Sequence, residues 1–326
     1  MIYLVLNGGL GNQLFQIAMA YAVGMKNEFN VSTVTLSKLS LWRILRGLEY
    51  VGDRSTYWST FFESLQEYLV DEVSEKSKVI TYHETDYGLE VAVPELEDGV
   101  DVLIQGYFQS YHYVDPYKDQ FFNLLGISGW QEKARYKYQD VDFNTGIVIH
   151  FRLGDYLTNS HNYLVLPIEY YIKSIKWITS MVRNGIGSDG DGVGSDGVGV
   201  GSDGVGQSNC DKTVNVYYVV DPKSLVEADE LIMKLECKLS QGGVDCQFNH
   251  LSGESDYEEM ILMSLFGAIV TANSTFSWWG AYLSNALGHG TLESKKPLIT
   301  VPGNWFGPGL KHLPVKGFHY PGWKVI

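Results

Sequence analysis

The stretch GIVIHFRLGDY, residues 146–156, ends an apolar run with a histidine, an arginine two residues on and an aspartate three further. Alternate side chains of an extended chain share a face, so His150 and Arg152 point to the same side. A guanidinium placed there can grip a diphosphate through two parallel hydrogen bonds. The competing reading is a local Arg152–Asp155 ion pair. In ANSTFSWWGAYL, Asn273, Ser274, Thr275 and Ser277 stand where an apolar run gives way to a helical pattern. Hydroxyls at that junction can cap the helix. The same helix end can receive a phosphate through free N–H groups and the dipole. Trp278 and Trp279 read as core packing ahead of a sugar platform. Glu254, Asp256, Glu258 and Glu259 cluster at another helix start, where the dipole favours acids. Asp256 is the candidate to accept from the N1–H and N2–H donors of a guanine.

The chain opens MIYLVLNGGLGNQLFQIA, an apolar strand running into a glycine-rich turn and a helical pattern. Gly9 and Gly11 fit the first two places of a dinucleotide fingerprint, but Leu14 takes the third. No acid stands where a ribose would need one: Glu28 is too early, and 31–37 runs into Ser37 and Lys38. A nicotinamide-dependent oxidoreductase is therefore the lesser reading.

These loops need elements to position them. Apolar strands alternate with helical patterns in both halves, which predicts two α/β domains with parallel sheets. Ligands of such sheets bind beyond the C-terminal strand ends. NGGLGNQ, HFRLGDY and NSTFSWW all sit at such ends. The 326 residues suffice for two domains, each with its own core. Residues 185–207 repeat Gly, Ser and Asp with a period of seven and read as a disordered surface insertion.

A formal charge of −14 argues against a nucleic-acid binder but leaves room for a nucleotide-sized ligand. Metal sites look poor. Asp140-Val141-Asp142 precedes a strand rather than following one, and His83, His112, His161 and His250 lack ligand spacing. Cys210, Cys237 and Cys246 cannot all pair and suit a reduced compartment. No basic leader precedes the first strand and no apolar run could cross a bilayer, so the expectation is a soluble, cytoplasmic protein.

Four segments in order resemble the α-1,2-fucosyltransferases of glycosyltransferase family 11: NGGLGNQLFQIA, GYFQSYHYV, HFRLGDY, and NSTFSWWGAYL with NWF after it. The resemblance covers nearly the whole chain except the glycine repeat. It implies a GT-B fold, two Rossmann-like domains facing a central cleft, with 1–140 on the acceptor side and 141–326 holding the nucleotide sugar. It implies GDP-β-L-fucose as donor, a galactose-containing glycan as acceptor, inversion, and no required metal or cofactor. Arg152 would meet the diphosphate, with His150 and Asp155 shaping that pocket. Ser274 and Thr275 would lie near phosphate and sugar, and Asp256 matches an acid preceding that block. Gly8, Gly9 and Gly11 would turn the chain at the cleft, with Asn12, Gln13 and Gln16 aimed at the donor sugar or acceptor. Two departures stand out: Ile17 replaces a tyrosine, and near YYVVDPKS only Asp221 remains of an expected acidic run. A non-catalytic sugar-binding module is the alternative this departure keeps open.

Overall fold

The computed structural model describes residues 2–4, 6–26, 34–37, 57–70, 78–84, 100–183, 213–290 and 296–326. The glycine repeat, Cys210 and Glu28 lie outside the described residues. The described strands form two sheets. The first comprises β1 (Ile2–Leu4), β2 (Val34–Ser37), β3 (Leu69–Val70), β4 (Lys78–His83) and β5 (Val100–Gln105), in spatial order β3-β2-β1-β5-β4. The second comprises β6 (Ile147–Phe151), β7 (Val214–Val220), β8 (Cys246–His250), β9 (Ala268–Val270), β10 (Leu298–Val301) and β11 (Lys324–Val325). Its order is β11-β10-β9-β6-β7-β8. All their pairings are parallel. This is the two-sheet α/β architecture of GT-B type that the sequence predicts.

Each order reverses direction once. In the first sheet the chain steps from β1 to β2 and β3 on one side, while β5 and β4 lie on the other. In the second it steps from β6 to β7 and β8, then crosses back to β9, β10 and β11. Such reversals leave a crevice at the C-terminal strand ends, because the connections on either side run away from each other. The loops at the first crevice follow β1 and β5; those at the second follow β6 and β9. They are the four segments singled out in the sequence.

The α-helices among the described residues are α1 (Leu10–Lys26), α2 (Tyr111–Val114), α3 (Lys118–Leu125), α4 (Ile127–Lys137), α5 (Asp155–Thr158), α6 (Ile168–Arg183), α7 (Leu225–Gln241), α8 (Asp256–Met263) and α9 (Thr275–Ala286). α1 and α9 are buried on nearly every face, which a helix tolerates only between other packed elements. They pack on each other and carry the bond between the halves. Trp279 Nε1 donates to the Gly11 carbonyl at 2.9 Å, and Phe15 sits 4.7 Å and 5.0 Å from the Trp278 and Trp279 rings. The tryptophan pair is core, as its sequence context suggests.

Two expectations change. α1 begins at Leu10, inside the glycine-rich stretch, so Gly11, Asn12 and Gln13 occupy its first turn and not the turn before it. Of the three glycines only Gly8 has positive φ, at 78°. Gly11 serves packing instead: a Cβ there would come 2.5–2.7 Å from the backbone of Thr275 and Phe276. The cores also do not divide by sheet. One apolar cluster joins β1 and β5 of the first sheet to α8, α9 and one face of the second sheet through Val148, Val219 and Ile269. The other lies on the opposite face, around Ile147, Ile149, Phe151 and Ile175. Strand alternation makes the split, since odd and even residues of β6 point to opposite sides.

Gly11→Ala must push α1 and α9 apart, and overpacking of this kind costs about 1–3 kcal/mol. Denaturant melts should show one cooperative transition at a lower midpoint. An unchanged midpoint would contradict the contact described here.

Candidate active site

A cleft of about 710 Å³ opens where the two sets of loops meet. From the first sheet come Gly9, Gly11, Asn12, Tyr107 and Gln109. From the second come His150, Arg152, Asp155, Asn273, Ser274 and Thr275. Asp256 lines the cleft as well. The structure thus brings together the predicted site residues with two exceptions. Gln13 is buried and donates to the Gly8 carbonyl at 3.0 Å. Gln16, expected to reach the cleft with it, is fully buried and accepts from Asn7 N at 2.8 Å. Both hold the turn that precedes α1, and neither lines the cleft.

β6 delivers His150 and Arg152 to the cleft by alternation. His150 is 5% exposed, its ring 5.2 Å from Phe276. Burial, then the charge of Arg152, lowers its pKa to about 3, so the imidazole is neutral. Its Nδ1 is buried without a protein partner. Gly154, at φ 45°, turns the chain so that Asp155 opens α5. Arg152 Nη2 donates to Asp155 Oδ2 at 2.8 Å, and the guanidinium lies 4.9 Å from the centre of the Tyr156 ring. The ion pair anticipated in the sequence exists, yet it does not exhaust the arginine. Arg152 Nε is buried with no partner, a cost that a ligand acceptor would relieve.

Tyr156 donates to the Asn273 carbonyl at 2.9 Å and stacks on Tyr163. Burial holds its phenol up at about 12, so it remains a donor. Asn273 is buried and donates to the carbonyls of Leu164 at 2.8 Å and Trp305 at 2.7 Å. Its amide ties the walls of the cleft together. Ser274 occupies the N-cap position of α9, but its hydroxyl makes no cap hydrogen bond. The first-turn N–H groups of a helix have no intrahelical partner, so this end keeps donors for a ligand.

On the first-sheet side, Phe108 adopts φ 51°, a left-handed conformation rare for a bulky residue. Its ring goes to the core while Tyr107 and Gln109 on either side reach the cleft. Asn12 Oδ1 accepts from Gln109 Nε2 at 2.8 Å and from Thr275 Oγ1 at 2.9 Å.

The acidic end of the cleft is where sequence reasoning fell short. Asp256 Oδ2 accepts from the Tyr57 hydroxyl and Oδ1 from Tyr257 N at 2.8 Å. Glu259, one helical turn on, also lines the cleft. Its pKa rises to about 7, first through burial and then through the charges of Asp256 and Asp221, against a hydrogen bond from Gly253 N. The i,i+3 spacing from Asp256 puts both on one helix face, a signal the sequence did carry. Asp142 turns inward on its own loop, accepting from Asn144 and Thr145 N–H groups. Among the described residues no three His, Cys, Asp or Glu side chains gather as a metal-ligand set. No described helix is long and apolar enough to cross a membrane.

No family model matches the chain. It is similar to the O-antigen biosynthesis glycosyltransferase WbnK of Escherichia coli, 25% identical over 344 aligned positions covering 94% of this chain and 95% of that protein. It is similar also to an alpha-1,2-colitosyltransferase of Escherichia coli, 22% identical over 86% of each. Among solved structures, a point mutant of Arabidopsis thaliana FUT1 in complex with GDP aligns with 87% of this chain and 68% of its own. The TM-score is 0.38 at 12% identity. A family 9 glycosyl transferase from Veillonella parvula aligns with 92% and 80%, with TM-score 0.37 at 10% identity.

The raised pKa of Glu259 has a signed consequence. The native state favours its protonated form, so native stability falls as pH climbs from about 4.5, its ordinary value, through about 7. Glu259→Gln removes that penalty. Its stability relative to the parent should rise between pH 5 and pH 8 in denaturant melts. A difference that stays flat across that range would place the carboxyl in solvent.

Proposed function

We propose that this chain is an inverting glycosyltransferase of family 11 that moves L-fucose from GDP-β-L-fucose to a galactose hydroxyl, forming an α-1,2 linkage without a metal. One observation carries the reading. Arg152, with its unpartnered Nε, faces the same cleft as the uncapped start of α9, at the strand-order reversal of the second sheet. Cations and helix N-termini converging on one crevice are what a leaving diphosphate requires. The similarity to WbnK over nearly the whole of both chains supports glycosyl transfer, and the similarity to a colitosyltransferase supports a deoxy sugar as the group moved.

In this reading residues 141–326 hold the nucleotide sugar and residues 1–140 face the acceptor. The bond from the anomeric carbon to the β-phosphate oxygen breaks, and its electrons leave on GDP. Arg152 and the α9 N–H groups stabilise that charge. Ser274 donates its hydroxyl to a phosphate oxygen. Asp155 orients Arg152, and neutral His150 offers Nδ1 to the nucleoside. At the acidic end, Asp256 is held by Tyr57. Glu259 beside it is the carboxyl we assign, with Asp256, to the guanine N1–H and N2–H donors. The acceptor hydroxyl attacks the opposite face of the sugar, its oxygen bonding the anomeric carbon as the bond to GDP breaks, and its proton passes to solvent water in the cleft.

The test is transfer assayed with purified protein, GDP-fucose or GDP-colitose, and a panel of β-galactosides with EDTA present. The expected product is an α-1,2-fucoside. Arg152→Ala should lower kcat by about 100-fold or more with the melt unchanged. Transfer from GDP-colitose alone would overturn the donor assignment. GDP binding without any turnover would identify a binding module instead.

A further inference from the structure

The two hydroxyls at the start of α9 differ in hydrogen-bond polarity. Thr275 Oγ1 donates to Asn12 Oδ1 at 2.9 Å. That same oxygen accepts from Gln109 Nε2 at 2.8 Å, so both contacts treat it as the carbonyl end of the amide. A hydroxyl has one proton and two acceptor lone pairs. With its proton given to Asn12, Thr275 meets the cleft as an acceptor only. The diphosphate of a nucleotide sugar also only accepts, so it gains nothing from this oxygen. A sugar hydroxyl, which can donate, does. Ser274 makes no cap hydrogen bond and keeps its proton for a phosphate.

We propose that Thr275 Oγ1 is a specificity-determining acceptor for a ring hydroxyl of the transferred sugar, its polarity set from across the cleft by Asn12 and Gln109. The inference rests on the GDP-sugar reading above and divides its labour. Arg152 and Ser274 take the phosphates, and Thr275 reads the sugar. It also gives the first turn of α1 a purpose beyond packing. Gly11 lets that turn approach the start of α9, and Asn12 then reaches Thr275. A site built to bond a hydroxyl rejects a sugar lacking it, because its own polar group is left unpaired. Donors with and without that hydroxyl, such as 6-deoxy and 3,6-dideoxy hexoses, are the pairs such a contact can separate.

The experiment is calorimetric titration of wild type, Thr275→Val and Thr275→Ser with GDP, with GDP-fucose and with GDP-fucose analogues missing one ring hydroxyl. Thr275→Val should bind GDP within about twofold of wild type and GDP-fucose about tenfold more weakly. One deoxy analogue should bind wild type and Thr275→Val alike, and Thr275→Ser should recover the lost affinity for GDP-fucose. Equal weakening toward GDP and GDP-fucose would put Thr275 on the phosphates and overturn the proposal. So would unchanged affinity for both, or a rise in acceptor KM with GDP-fucose binding intact. Thr275→Ala gives the same comparison should the valine variant not fold. Failure of the wild type to bind GDP would instead sink the nucleotide-sugar reading, and this inference with it.

Discussion

The close approach of α1 to the first turn of α9 is the constraint on which the rest depends. Gly11 lies so near the Thr275–Phe276 backbone that no side chain fits between them. Trp279 seals the contact by donating to the Gly11 carbonyl. The contact sets the two strand-order reversals against each other and so makes one cleft out of two crevices. It also explains why the apolar core does not divide by sheet: α1 and α9 are each other's burial partners, and neither half could hide its helix alone.

From that geometry the chemistry follows in layers. Alternation along β6 sends His150 and Arg152 into the cleft and leaves Ile149 and Phe151 in the opposite core. Burial and Arg152 keep His150 neutral, so the guanidinium is the nearby positive charge. Asn273 and Tyr156 brace the loops around that charge. At the far end Glu259 sits at the edge of ionisation, and a ligand that donates to it would draw it to the charged form.

Much of this was legible in the sequence. Parallel sheets followed from apolar runs alternating with helical patterns, and the loops bearing Gly9, Arg152 and Ser274 stood out at strand ends. The Arg152–Asp155 pair and the buried tryptophans were readable because they rest on local spacing. What was not legible depends on distant partners. Gly11 reads as a turn residue until α9 lies against it. Gln13 and Gln16 look like ligand-facing amides until they are seen to bond Gly8 and Asn7. Nothing in DYEEM says which acid is buried, so Asp256 drew attention before Glu259. The left-handed Phe108 carries no sequence mark at all.

The central claim is that the cleft grips a diphosphate through Arg152. Calorimetric titration of the wild-type protein and Arg152→Ala with GDP and with GMP measures that grip directly. The account predicts that wild type binds GDP far more tightly than GMP, and that Arg152→Ala erases most of the difference. Equal affinity of the wild type for GDP and GMP, or a preference that survives loss of Arg152, would contradict it.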